Sequence, residues 1–251
     1  MLDLFFNSTL EAPLPAIRET SQLFIVGTPL SDNGLLSLEA IDQISKAQLI
    51  IAESKKNAFR YLKQAKVPQG VPLFFLDNIR DKDWADLTNQ LKKLAQSSAR
   101  VVLFSDTGMP LLFDPGAEVL NLARSLKYEV HSVPSATSWG SACALSGWNP
   151  PFLVYGFLPR DLGERKQQLS QLKLTPHHTV LMDTPYRFEA LLSQIAEVFG
   201  NERELFLAWE ISKSDEQLLW GSVRSIQREA EKKGLKKGEF VIIIHGASRV
   251  K

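Results

Sequence analysis

Short, almost unbroken apolar runs alternate along this chain with stretches whose apolar residues recur at helical spacing. That alternation leaves few folds open. Residues 23–26, 48–52, 73–76, 100–104 and 129–133 read as strands, and 38–47, 55–65, 84–95 and 117–126 as helices. Strands that are apolar on both faces and separated by helices predict a parallel sheet covered on both sides. The texture changes after Pro134. A helix of small residues over 139–145 is followed by strands at 152–156, 179–183, 205–210, 217–220 and 240–244, with helices at 165–172, 188–199 and 223–233. Only a short polar turn separates 205–210 from 217–220, which predicts a hairpin and a mixed second sheet. The reading is an N-terminal arm over 1–22, an α/β unit over 23–134 and a second α/β unit over 135–251.

Composition narrows the chemistry. A net charge of +1 across 251 residues neither demands nor excludes nucleic acid, so a binding patch has to be local. The single cysteine, Cys143, excludes an internal disulfide and suits a reducing cytoplasm, the compartment expected here. His177 and His178 are adjacent, and neighbours in a strand point to opposite faces, so no metal site is expected. No apolar run approaches the roughly 20 residues of a membrane span, so no membrane partner is expected. Residues 1–20 contain Asp3 and no basic start, which does not read as a signal peptide.

The stretch richest in chemistry is 105–116, SDTGMPLLFDPG, directly after the fourth strand. Asp114 followed by Pro115 reads as the opening of the next helix. A glycine-bearing loop at the C-terminal end of a parallel strand is where α/β folds put ligands. Glu53, Asp106 and Asp183 also sit at strand ends, where one is available as a general base; a helix cap or a surface ion pair is the competing role for each. Lys55, Lys56, Arg60, Lys63 and Lys66 form a basic run without acids, suited to a phosphate backbone or simply to solvent. Arg160 and Arg165 extend a basic rim. The chain has no Walker phosphate loop, no G-x-G-x-x-G after its first strand and no G-x-S-x-G elbow.

Taken in order, these motifs resemble the tetrapyrrole methylase superfamily. Gly27-Thr28-Pro29-Leu30-Ser31-Asp32-Asn33 stands for its G-T-P-I-G-N-L, and Ala52-Glu53-Ser54-Lys55-Lys56 for A-E-D-T-R. The loop 105–116 matches S-D-A-G-T-P-x-I-S-D-P-G at equal length. G-F-L-P-R is intact at 156–160, Met182-Asp183-Thr184-Pro185-Tyr186-Arg187 stands for Y-E-S-P-H-R, and K-G-E-F-V is intact at 237–241. Within the superfamily, the chain is most similar to the branch that methylates a cytidine ribose 2′-oxygen in small-subunit ribosomal RNA.

The resemblance implies a two-domain fold with a mostly parallel N-terminal sheet and a mixed C-terminal one, S-adenosylmethionine in the cleft between them, and a homodimer. It implies cofactor contacts at Pro29, Thr107, Gly108, Met109, Leu112, Phe113, Asp114, Ser138, Met182 and Asp183. Asp106, Glu53 and Asp183 remain the base candidates, and Lys55, Lys56, Arg60, Lys63, Arg160 and Arg165 the RNA-binding candidates. Lys56 replaces a family arginine, Trp209 another, and the family's histidine-asparagine-glutamate stretch is absent after the third strand. A same-fold enzyme acting on a small molecule such as a tetrapyrrole, and a catalytically silent cofactor-binding protein, are the alternatives.

Overall fold

The computed structural model describes residues 20–247. Strands β1 (Gln22–Val26), β2 (Leu49–Ala52), β3 (Leu73–Phe75), β4 (Arg100–Phe104) and β5 (Glu129–Val133) form a sheet in the order β3-β2-β4-β1-β5, with every pairing parallel. Side chains alternate across a strand. Accordingly β1 sends Phe24 and Val26 to one face and Leu23 and Ile25 to the other. Helices α1 (Leu38–Ser45) and α2 (Lys55–Gln64) cover the first face through Ala40, Ile44, Ala58 and Tyr61. Helices α3 (Asp81–Leu94) and α4 (Ala117–Ser125) cover the second through Leu87, Leu91, Val119 and Ala123.

The chain then passes through α5 (Ser138–Ser146), β6 (Phe152–Phe157), α6 (Leu162–Leu172), β7 (His178–Met182), α7 (Phe188–Phe199), β8 (Glu204–Trp209), β9 (Gln217–Ser222), α8 (Val223–Lys232) and β10 (Phe240–Ile244). The second sheet has the order β6-β7-β10-β8-β9. Only β6 and β7 pair in parallel; β8 and β9 form the expected hairpin, and β10 runs antiparallel between β7 and β8. One face packs on α6, α7 and α8, and the other on α5.

Strand order sets where a ligand can sit. From β1 the chain moves toward β2, and from the adjacent β4 it moves the opposite way, over β1 to β5. The loops that follow β1 and β4 therefore cross at adjacent strand ends, one leading to α1 on the first face and the other to α4 on the second, and a ligand crevice is expected at those ends.

Helix α3 starts at Asp81, earlier than apolar spacing indicates, because Asp81 and Asp83 in its first turn suit the helix dipole. Asp114 does not open α4. The N-cap is Gly116 at φ +124°, without a side-chain cap. At that φ a side chain is strained, and a Cβ would also crowd the methyls of Leu111 at 2.9 Å and Leu103 at 3.1 Å, so the position favours glycine. Of the arm expected over 1–22, residues 1–19 lie outside the described residues, and Gln22 already belongs to β1. Among the described residues no helix is long and apolar enough to cross a membrane, and no group of three or more His, Cys, Asp or Glu side chains is placed to hold a metal ion.

Candidate active site

The crevice is built by stitching two loops together. Thr28 and Gly108 exchange main-chain hydrogen bonds, Thr28 N to Gly108 O at 2.8 Å and Gly108 N to Thr28 O at 3.2 Å. The Thr28 hydroxyl donates to the carbonyls of Ser105 and Gly108, both at 3.3 Å, and the Ser135 hydroxyl donates to Thr28 O at 2.8 Å. Gly108 has φ +76°, and so close a backbone approach favours glycine. Leu111 and Phe113 also have positive φ, +69° and +72°. Non-glycine residues held there cost of order 1–3 kcal/mol each and persist only where surroundings fix them. Phe113 is fixed by the other half of the chain. Its ring lies edge-on to Phe157 at 5.8 Å and over Gly156, where a Cβ would come within 2.2 Å of it. Gly156 sits at a bulge in β6 with φ +82°.

The resulting cleft holds about 200 Å³. Of the expected cofactor residues, Thr107, Gly108, Met109, Leu112, Phe113, Asp114, Ser138, Met182 and Asp183 line it. Pro29 does not. It packs against Gly34, and the following Leu30 faces the cleft instead. Trp139 of α5 and Glu239, Phe240 and Val241 at the start of β10 complete the walls. Their signals were present, since 237–241 is an intact motif and Trp139 follows Ser138. What placed them is topology: β10 runs antiparallel to β7, so Val241 pairs with Met182 and the first turn of β10 meets the C-terminal end of β7.

The three strand-end carboxylates fare differently. Glu53 accepts the Asp106 N–H at 2.8 Å. Burial pushes its carboxyl up; that hydrogen bond opposes the shift, and the charges of Asp106 and Asp77 add to it. Asp106 accepts from the Ser54 hydroxyl at 2.7 Å, and its carbonyl accepts from Asn57 at 3.0 Å and Tyr61 at 2.8 Å. Neither Glu53 nor Asp106 lines the cleft. Asp183 lines it, but as half of a buried ion pair with Arg165, the two side chains being 2% and 3% exposed. It also accepts the Thr184 N–H at 2.8 Å.

Arg165 further donates to Gln194 at 2.6 Å and to the Pro159 carbonyl at 3.2 Å. It is therefore no part of an RNA-facing rim; its charge is consumed in the interior. Arg160 is exposed after β6, and Lys55, Lys56 and Lys63 are exposed on α2. Arg60 is half-buried, bonded to the Asp32 carbonyl and stacked on Tyr61 at 4.8 Å.

Asp114 is the carboxylate that spacing assigned to another role. Burial, aided by the charge of Glu53, pushes it up to about 7, with a hydrogen bond from Ser105 opposing. The other carboxylates lining the cleft are Asp183, paired with Arg165, and Glu239, which bonds Lys213 at 3.0 Å. Asp114 thus changes its charge near neutral pH at the cleft wall.

Comparison with known proteins places this geometry. A family model described as tetrapyrrole (corrin/porphyrin) methylases matches residues 22–227. Ribosomal RNA small subunit methyltransferase I of Micromonospora olivasterospora is 28% identical over 226 residues, covering 90% of this chain and 70% of its own length. The protein of the same name from Thermotoga maritima is 29% identical over 227 residues, covering 90% of this chain and 98% of its own. Among solved structures, a cobalt precorrin-4 methyltransferase of cobalamin biosynthesis superposes with a TM-score of 0.62 at 15% identity, covering 89% of this chain and 94% of that chain. The chain belongs to the tetrapyrrole methylase family and is an S-adenosylmethionine-dependent methyltransferase.

Proposed function

We propose that the protein methylates a ribose 2′-oxygen of a cytidine in small-subunit ribosomal RNA. Relatives carrying that ribosomal RNA name align over 90% of the chain. The observation that carries the reading is the convergence of loop 105–116 with the ends of β7 and β10 on one cleft.

The cleft suits S-adenosylmethionine. Its walls combine the loop residues Thr107, Gly108 and Met109 with the apolar residues Leu30, Met182 and Phe240. Trp139 lines it, and its indole N–H is buried without a partner among the described residues, which an acceptor on a bound ligand would satisfy. Residues 107–109 and 112–114, with Ser138 and Met182, would hold the group. Bound there, it supplies an electrophilic methyl carbon.

The protein's work is orientation. Holding the acceptor hydroxyl close and on axis supplies a large part of the acceleration. Leu112 and Phe113 supply apolar surface at the cleft wall. Asp114 takes the proton that the ribose hydroxyl loses; a base poised near the working pH is the effective one. Burial, with the charge of Glu53 adding to it, keeps Asp114 basic, and the paired Asp183 shapes the wall.

The assembly proposed is a homodimer, which light scattering on the purified chain checks, and the compartment is the cytoplasm, where the ribosomal acceptor resides. The test of function is calorimetric titration with S-adenosylhomocysteine, then transfer of labelled methyl to small ribosomal subunits lacking the modification. Micromolar binding that is lost in Gly108→Leu, with label in a cytidine ribose, supports the reading. Tight cofactor binding with transfer only to a small-molecule acceptor moves the enzyme to the tetrapyrrole class. Binding without turnover on either makes it a silent cofactor-binding protein.

A further inference from the structure

Helix α2 contains no acidic residue. Lys55, Phe59 and Lys63 recur every four residues and so share one face. All three are exposed, whereas Asn57, Ala58 and Tyr61 are buried on the other side. Phe59 is 58% exposed. Its ring lies 6.1 Å from that of Phe75, tilted by 55°, and the Lys55 ammonium stands 5.6 Å over the Phe75 ring. Phe75 is itself only half-buried, at the end of the edge strand β3.

A surface helix built only for stability would carry acids in its first turn, where the dipole favours them, and a polar residue on its solvent face. This one carries Lys55 and Lys56 in the first turn and a phenylalanine outside. Both choices cost folding stability, and both favour contact with nucleic acid: ammonium groups meet phosphates, and ring faces meet bases. The stripe also abuts the cleft. Ser54 caps α2 and donates to Asp106, whose chain neighbour Thr107 lines the cleft. Phe59 follows five residues later, about 7.5 Å along the helix axis.

We propose that the Lys55–Phe59–Lys63 face of α2, together with Phe75, is a stacking platform for an unpaired nucleotide flanking the methylated one. The proposal rests on the ribosomal RNA reading and adds the form of the acceptor. It is a splayed single strand, since only an unpaired base offers its face to an aromatic ring.

The test is fluorescence anisotropy of the full chain with a short unstructured RNA, and with the same strand annealed to its complement, at two salt concentrations. Wild type binds the single strand more tightly. Phe59→Ala weakens that binding about tenfold, within the range for loss of one base–aromatic stack, and leaves the salt slope unchanged. Phe59→Trp restores it. Lys63→Ala does the reverse, lowering the log–log salt slope by about 0.7. Unchanged S-adenosylhomocysteine binding by each variant shows that the fold is intact.

Single-strand affinity of Phe59→Ala within about twofold of wild type, or an equal loss on duplex, overturns the platform. So does binding to anionic phospholipid vesicles with none to RNA. Methyl transfer to ribosomal subunits is measured alongside. Transfer by wild type with an unchanged KM in Phe59→Ala removes the platform and leaves the function standing. Binding of the single strand that depends on Phe59, with no transfer to ribosomal RNA, keeps the platform and removes that function.

Discussion

Asp114 carries the sharpest consequence of burial at the scale of a single residue. Its carboxyl sits at about 7, against 3.8 when unperturbed, because burial and the charge of Glu53 both disfavour ionisation. Between those values the native state holds a proton that the unfolded chain has released. Stability therefore falls as pH rises from near 4 through 7, and the loss is complete above 7. Asp114→Asn removes that slope. The variant is expected to gain on the order of 1 kcal/mol over wild type at pH 8, a figure discounted for partial exposure, and nothing below pH 4. Urea unfolding across that pH range measures it; an unchanged slope refutes the assignment. The same change is expected to cost about 10²–10⁴ in kcat, and the wild-type rate should rise through pH 7. Arg165 shows why some of the site was hidden. Sequence displays a charge but not its depth, so Arg160 and Arg165 read alike, yet one is exposed and the other is locked to Asp183. Arg165→Ala leaves the buried Asp183 carboxylate with only the partly exposed Arg187 at 3.7 Å as a charged partner and is expected to cost about 3 kcal/mol in urea unfolding, beyond the loss of a surface ion pair.

Among elements, the sequence pattern locates all ten strands, with ends shifted by a residue or two; burial on both faces leaves an uninterrupted apolar signal in central strands such as β2 and β10, whereas β5 is exposed at four of its five residues and carries a weaker one. The short helical turn Pro185–Arg187 was missed, since three residues carry no periodicity. Loop 105–116 was legible as a ligand loop from its glycines and prolines, but the way it is held was not. Phe113 keeps a strained backbone because its ring docks over Gly156, a residue 43 positions later. No local pattern encodes that contact. Gly156→Ala places a methyl within 2.2 Å of the Phe113 ring and strains a position at φ +82°. The ring has to leave, and with it the conformation of Leu112 and Phe113 on the cleft wall. S-adenosylhomocysteine affinity is expected to fall about tenfold or more, roughly 1.4 kcal/mol, by calorimetry. Retained affinity would show that the cleft forms without the docking contact.

For the whole molecule, the cleft owes its existence to two sheets that are each closed on their own cores. The core clusters of the first sheet draw on β1 to β5 and their helices, and those of the second on α5 onward. Described contacts between the halves include the Phe113–Phe157 pair and Leu30 packed against the core of the second sheet, both at the cleft. Mixed topology was foreseeable from the β8–β9 hairpin, but the insertion of β10 between β7 and β8 was not, because strand order depends on which edges remain free after the rest has folded. If each half has its own core, few interactions make them unfold together, and a ligand that touches both supplies the missing coupling. The unliganded protein is therefore expected to unfold in urea in two steps, read by tryptophan fluorescence and by far-ultraviolet circular dichroism, whose curves should not coincide. S-adenosylhomocysteine at about a hundred times its Kd adds about 2.7 kcal/mol to whichever state keeps the complete cleft. That state is the one with both halves folded, so the two transitions should merge into one at higher urea. A ligand that shifts only one transition and leaves the other in place would put its contacts within a single half, and the cleft between the sheets would lose its claim to be the cofactor site.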